Sequence, residues 1–190
     1  MRDLRRATLD ATARLLAEQG AGGLSVRKIA AAAECSTISV YHYFEHKQGL
    51  LDAVHAEGHR RLREAQSAQQ HTADPEADVR NTCLVYREVA LSYPDYFRVM
   101  FGHPIPGFHR PTGQYRTPAR ENYASFVQVV RRWGEQVSLV TDAKTAAYGL
   151  WSTGHGMVML ELTGNAPREG REKRYTVTID ALMHGLIADA

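Results

Sequence analysis

The chain has 190 residues, 44% of them hydrophobic and 23% charged, with a formal net charge of +2. That length holds one good-sized domain, or a small domain joined to a larger one. The near-neutral balance excludes a polycation, so any nucleic-acid role must rest on a local basic cluster.

Leu9, Thr12, Ala13 and Leu16 recur at i, i+3, i+4 and i+7 and predict a helix over 4–18, ended by Gly20 and the run GAGG. Ser25 is a good N-cap for a second, short helix whose buried stripe is Val26, Ile29, Ala30 and Ala33. After the turn "ECS", Ser36 caps a third helix that runs to about Phe44, with Val40, Tyr43 and Phe44 as its inner stripe. A long helix follows over about 47–70; Leu50, Leu51, Val54 and Leu62 give it an apolar side and the rest is charged. Asp74-Pro75 opens the next helix as cap and first residue, and it stops before Pro94. A short helix over 95–101 precedes "GHPIPGFHRPTG", residues 102–113, the one long irregular loop. Three more helices are expected over about 118–136, 142–163 and 171–187, and no convincing strand. The expected fold is therefore all-α, with three short helices followed by a bundle of about six.

Cys35 and Cys83 lie outside any CxxC or Cys/His spacing, which reads as reduced thiols and a cytoplasmic location. The basic N-terminus lacks the apolar core of a signal peptide. No apolar run approaches the roughly 18 residues of a membrane span.

Helices two and three, with their short turn, fit a helix-turn-helix. The second helix of such a pair must fit the major groove, hold itself with an apolar stripe and offer its other face to base edges. Val40 and Phe44 supply the stripe. Thr37, Ile38, Tyr41 and His42 fall outward, with Ser39 at the edge. Lys47 starts the fourth helix, where a cation and backbone N–H groups can both meet a phosphate. Arg2, Arg5 and Arg6 form an N-terminal basic cluster. Against them stand Asp3, Asp10, Glu18, Glu34 and Glu45, so the excess of positive charge through Lys47 is modest.

The stretch "LSVRKIAAAAECSTISVYHYFEHKQGLLDAV", residues 24–54, resembles the tetracycline-repressor (TetR) family of bacterial transcriptional regulators. The diagnostic spacing is Leu-Ser, Ile-Ala, a small-residue pair, then Val-Tyr-x-x-Phe-x-x-Lys-x-x-Leu-Leu. The resemblance implies base contacts at Arg27, Thr37, Ile38, Ser39, Tyr41 and His42. It implies phosphate contacts at Tyr43 and Lys47, with Ser25 a further candidate. Tyr43 can serve both stripe and phosphate with a buried ring edge and an exposed hydroxyl. Two positions depart from the commonest pattern: Cys35 stands where valine is usual, and Ile38 where glycine or proline often sits. The segments "YPDYFRVMFG" (93–102) and "WSTGHGMVMLELTGN" (151–165) resemble TetR-like sensor domains marked by a Trp…His-Gly element. That resemblance implies an effector pocket in the bundle and a homodimer formed by the last two long helices.

Tyr86, Tyr93, Phe97, Met100, Phe126, Val130, Trp133 and Trp151 are the expected pocket residues, although apolar side chains at helical spacing also make ordinary core. Gly149, Gly154 and Gly156 each disfavour a helix by roughly 1 kcal/mol relative to alanine. Close approach of a partner helix would offset that, so Ser152, His155, Gly156 and Met159 are expected at a dimer interface. His55 and His59 stand at i, i+4 but lack a third metal ligand and read as surface histidines. Nothing matches a phosphate loop, a nucleophile elbow or a paired-carboxylate site, so no catalytic residue, metal or cofactor is expected.

The sequence thus reads as a helix-turn-helix domain over 1–46 and an effector-binding and dimerisation domain over 47–190. Its expected function is a homodimeric repressor that binds a palindromic double-stranded operator and is released by a small molecule. The alternative is a small-molecule-binding helical module with little DNA-binding activity. The modest charge and the lack of Arg or Lys on the third helix favour that alternative.

Overall fold

The computed structural model describes residues 3–69, 71–102, 109, 111 and 117–188. Among them the helices are α1 (Leu4–Gln19), α2 (Val26–Ala32), α3 (Thr37–Phe44), α4 (Lys47–Ser67) and α5 (Pro75–Ser92). They continue with α6 (Pro94–Phe101), α7 (Thr117–Gly134), α8 (Ala143–Leu162) and α9 (Arg171–Gly185). The described residues contain no strand, only one antiparallel bridge between Leu139 and Ile187. The irregular loop expected over 102–113 falls almost wholly outside the described residues, as does Arg2.

The helix starts follow from short polar side chains. Asp3, Ser25, Ser36 and Asp142 each accept backbone N–H groups of the first turn, at α1, α2, α3 and α8. Each such cap is worth about 1 kcal/mol, because the first-turn N–H groups have no partner within the helix.

The chain divides into two compact units, residues 1–61 with 93–119, and residues 62–92 with 120–190. In the first, α1 packs on α2 and α6, and α2 on α3. Leu9, Leu16, Ile29, Val40, Phe44, Leu50, Val54 and Val99 form its core. Gly58 lets α6 approach α4, since a Cβ there would overlap the Met100 Sδ. His59, one turn beyond His55, corrects the surface reading. It is buried, with its ring edge-on to Phe101 at 5.7 Å and 4.8 Å from the His55 ring.

In the second unit α8 packs on α5 and α9. Val79, Val130, Trp133, Leu150, Val158 and Ile179 are fully buried. Gly154 faces Tyr175, whose hydroxyl would lie 2.6 Å from an added Cβ. That hydroxyl donates to the Cys83 carbonyl at 2.9 Å, tying α9 to α5. Burial also pushes the Cys83 thiol up to about 12, so it stays protonated.

Candidate nucleic-acid interface

The candidate surface is built by α2, α3 and the start of α4. Ser36 Oγ accepts from the Ser39 backbone N–H at 3.0 Å and shares a 2.9 Å hydrogen bond with the Ser39 hydroxyl. This pairing starts α3 and holds Ser39 at its foot. Val40 and Phe44 then point into the core, as the spacing requires, and hold the helix in place.

The opposite face is open. Ile38 is 79% exposed, Tyr41 53% and Tyr43 41%. His42 is exposed too, and its ring meets Tyr43 edge-on at 5.3 Å. Thr37 is half-buried. Thr37, Ile38, Tyr41 and His42 therefore share one accessible helix face, while Tyr43 lies at its border with the ring partly free. Arg27, on α2, is exposed. Its neighbour Lys28 instead donates to the Gln19 side chain and the Gly23 carbonyl, at 2.8 and 2.9 Å. Lys28 thus braces the glycine-rich connection, a role the sequence did not announce.

A sharp reversal links α3 to α4. Glu45 adopts φ 51°, ψ −54°, and the His46 N–H donates back to the Phe44 carbonyl. This is a γ-turn with positive φ, rare for a residue that carries a side chain. His46 then caps α4, its Nδ1 accepting from the Gly49 N–H at 2.9 Å. Gly49 has to be small: a Cβ would stand 2.9 Å from the Phe44 carbonyl and 3.2 Å from His46 Cε1. Lys47 is exposed just after the turn, at the N-terminal end of α4. Arg5 lies over the Phe44 ring at 5.6 Å, so one member of the N-terminal cluster sits against the recognition helix.

The same compact unit holds a cluster missed by sequence. Arg61 donates to Asp10 at 2.6 Å and to Glu57 at 2.8 Å, and its guanidinium lies 4.5 and 4.4 Å from the centres of the Tyr93 and Tyr96 rings. The Tyr96 hydroxyl donates to Asp10 at 2.8 Å. The group joins α1, α4 and α6. Burial alone would raise the Glu57 carboxyl, but hydrogen bonds from Arg60 and Arg61 outweigh it and hold the carboxyl below its ordinary range.

The expected pocket residues divide between the units. Tyr93, Phe97 and Met100 belong to the first, where Phe97 packs on Phe101 with ring centres 4.8 Å apart. Tyr86, Phe126, Val130, Trp133 and Trp151 belong to the second. There Trp151 Nε1 donates to the Tyr86 hydroxyl at 3.2 Å, and that hydroxyl lies 2.9 Å from His155 Nδ1. Burial lowers the His155 pKa and favours its neutral ring, either tautomer of which can share that hydrogen bond. Phe126, Val130 and Trp133 are buried, and Trp133 Nε1 makes no hydrogen bond. Of the expected interface residues, Ser152 and Gly156 are exposed, while His155 and Met159 are half-buried.

Comparison with known proteins agrees with this geometry. The profile of the bacterial regulatory proteins of the tetR family matches residues 9–54, and that of the tetracyclin repressor-like C-terminal domain matches residues 79–187. The HTH-type transcriptional regulator BetI of Burkholderia thailandensis is 47% identical over 55 residues. That match spans only 28% of this chain and 28% of BetI. The TetR-family regulator PfmR from Thermus thermophilus has the same fold, with a TM-score of 0.75 and 21% identity over 95% of this chain and 99% of its own. A TetR variant from Acinetobacter baumannii, solved in complex with minocycline, superposes with a TM-score of 0.61. It is 24% identical over 94% of this chain and 93% of its own. With its two profiles covering both the reading head and most of the helical remainder, the chain belongs to the TetR family of bacterial regulatory proteins.

Proposed function

We propose that this protein is a homodimeric transcriptional repressor. Each subunit lays α3 in a major groove of a palindromic operator, and a small molecule bound in the helical remainder releases it. The observation that carries the reading is the face of exposed Ile38, Tyr41 and His42 with half-buried Thr37 beside them, on a helix anchored from behind by Val40 and Phe44. Residues 1–46 do the reading, with Arg27 beside α3 and with Tyr43 and Lys47 on phosphates. Residues 47–190 hold the effector and the partner subunit.

Dimerisation through α8 and α9 is supported by exposed Tyr148, Leu160 and Val177, and by Gly156, where an added Cβ would meet nothing of its own chain. A helix-interior glycine costs about 1 kcal/mol, and no contact within the subunit accounts for this one. The effector reading draws on the linked Tyr86, Trp151 and His155, on the unbonded Trp133 N–H, and on the minocycline bound by the A. baumannii relative. In the Trp…His-Gly element, Trp151 and His155 meet on Tyr86, a fitting arrangement for a sensor. The effector favours one of two conformations by binding it more tightly.

The test is selection of bound sequences from a random duplex pool with the purified full chain, followed by stoichiometry on the enriched site. A palindrome with half-sites about 34–36 Å apart, or a multiple of that, bound by an even number of subunits, is expected. Absence of enrichment from folded protein would favour a ligand-binding module without a DNA role.

A further inference from the structure

His55 and His59 stand one turn apart on α4, with ring centres 4.8 Å apart and ring planes tilted by 52°. Side chains at i and i+4 of a helix lie one above the other, the spacing at which two imidazoles reach one metal ion. His59 is buried and His55 half-buried, so solvent reaches the pair from the His55 side. A third donor comes from another helix. Gly58 precedes His59, and α6 lays its Met100 thioether there, where a Cβ on Gly58 would overlap Sδ. A glycine inside α4 costs about 1 kcal/mol, and here its smallness admits the sulfur beside the two histidines. Phe101, the next residue of α6, meets the His59 ring edge-on at 5.7 Å, and Phe97 packs on Phe101. All these residues belong to one compact unit.

The donor set decides the ion. A thioether selects copper(I), imidazole suits copper as well, and hard cations want oxygen ligands. Among the described residues no carboxylate, cysteine or further histidine completes a ligand set with the pair. A divalent ion in this apolar setting would bring twice the charge, with no anionic ligand to offset it. We propose that His55, His59 and Met100 form a copper(I) site between α4 and α6. The site needs no DNA contact and stands or falls apart from the regulator reading.

The experiment titrates the purified full chain, under nitrogen with ascorbate, into copper(I) held as its coloured bicinchoninate complex. The native chain should withdraw one copper per subunit, and X-ray absorption of the loaded protein should show both nitrogen and sulfur neighbours. Met100→Leu removes the sulfur at nearly constant volume, so the fold should survive and the copper should stay with bicinchoninate. His55→Gln, at the half-buried member of the pair, should behave in the same way. Cys35→Ser, which removes the half-buried thiol, should keep the copper. A folded native chain that withdraws no copper would overturn the proposal. So would full retention of copper by Met100→Leu or His55→Gln. Loss of copper in Cys35→Ser would overturn it too, by assigning the metal to the thiol.

Discussion

The Arg61 guanidinium on α4 donates to the Asp10 carboxylate on α1 at 2.6 Å. Arg61 is buried and Asp10 is half-exposed, so the pair is largely shielded from solvent on one side only. Tyr93 and Tyr96 flank the cation, and Glu57 takes its Nε. Arg61→Ala would leave Asp10 without its cation and Glu57 with Arg60 alone. Breaking a buried pair costs about 3–5 kcal/mol, and the exposure of Asp10 and the remaining Arg60 place this case at or below the lower end. Urea unfolding should therefore show a loss of about 3 kcal/mol, and Asp10→Asn a smaller one. An unchanged midpoint for Arg61→Ala would show that the cluster contributes nothing to the fold.

His59 gives the fold a pH dependence. Burial, and secondarily the charge of His55, push its imidazole down to about 3 from an ordinary 6.5. The folded protein therefore holds it neutral while the unfolded chain protonates it. Its contribution to stability is complete above pH 6.5 and is lost progressively as pH falls from there toward 3, by up to about 1.4 kcal/mol per unit. Glu57, held low, begins to add to the loss only near and below its ordinary value of 4.5. Urea midpoints at pH 7.5, 6.5 and 5.5 should fall for the native chain and flatten for His59→Leu. Parallel curves would exclude His59 as the source.

Two glycines of α8 should part company. In Gly154→Ala the new Cβ meets the Tyr175 hydroxyl at 2.6 Å, which is itself engaged with the Cys83 carbonyl. Overpacking of this kind costs about 1–3 kcal/mol and exceeds the gain of about 1 kcal/mol in helix propensity. Gly156→Ala meets nothing within the subunit, so it should preserve or raise subunit stability while weakening self-association. Thermal unfolding and sedimentation of both variants check this. A Gly156→Ala protein that associates as tightly as the native chain would exclude Gly156 from the proposed dimer interface.

Glu45 carries the backbone reversal between α3 and α4 at φ 51°. Glycine adopts that conformation without the Cβ penalty, though it also loosens the unfolded chain. Glu45→Gly should stabilise the fold by about 1 kcal/mol, read as a higher urea midpoint. A lower midpoint would mean that the glutamate side chain contributes more than its backbone strain removes.

The helix-turn-helix was legible because its signals are local. Ser25 and Ser36 cap where short hydroxyl residues should, and Val40 and Phe44 point inward at their i, i+4 spacing. Long helices were legible from punctuation such as Asp74-Pro75 and Asp142. Less legible was what depends on packing between distant segments. Glu57 and Arg61 resemble an exposed i, i+4 pair, and His55 and His59 a solvated one, until α6 covers that side of α4 with Tyr96 and Phe101. Gly58, between them, was the available hint that another helix comes close. Nor does the sequence around Lys28 announce its bonds to the Gln19 side chain and the Gly23 carbonyl.

A helix-turn-helix docked on duplex DNA as proposed sets Lys47 on a phosphate. The most direct measurement is the salt dependence of affinity for the selected duplex, native chain against Lys47→Ala. The variant should bind every sequence more weakly, with a log–log salt slope smaller by about one per subunit. Unchanged affinity together with an unchanged slope would contradict it.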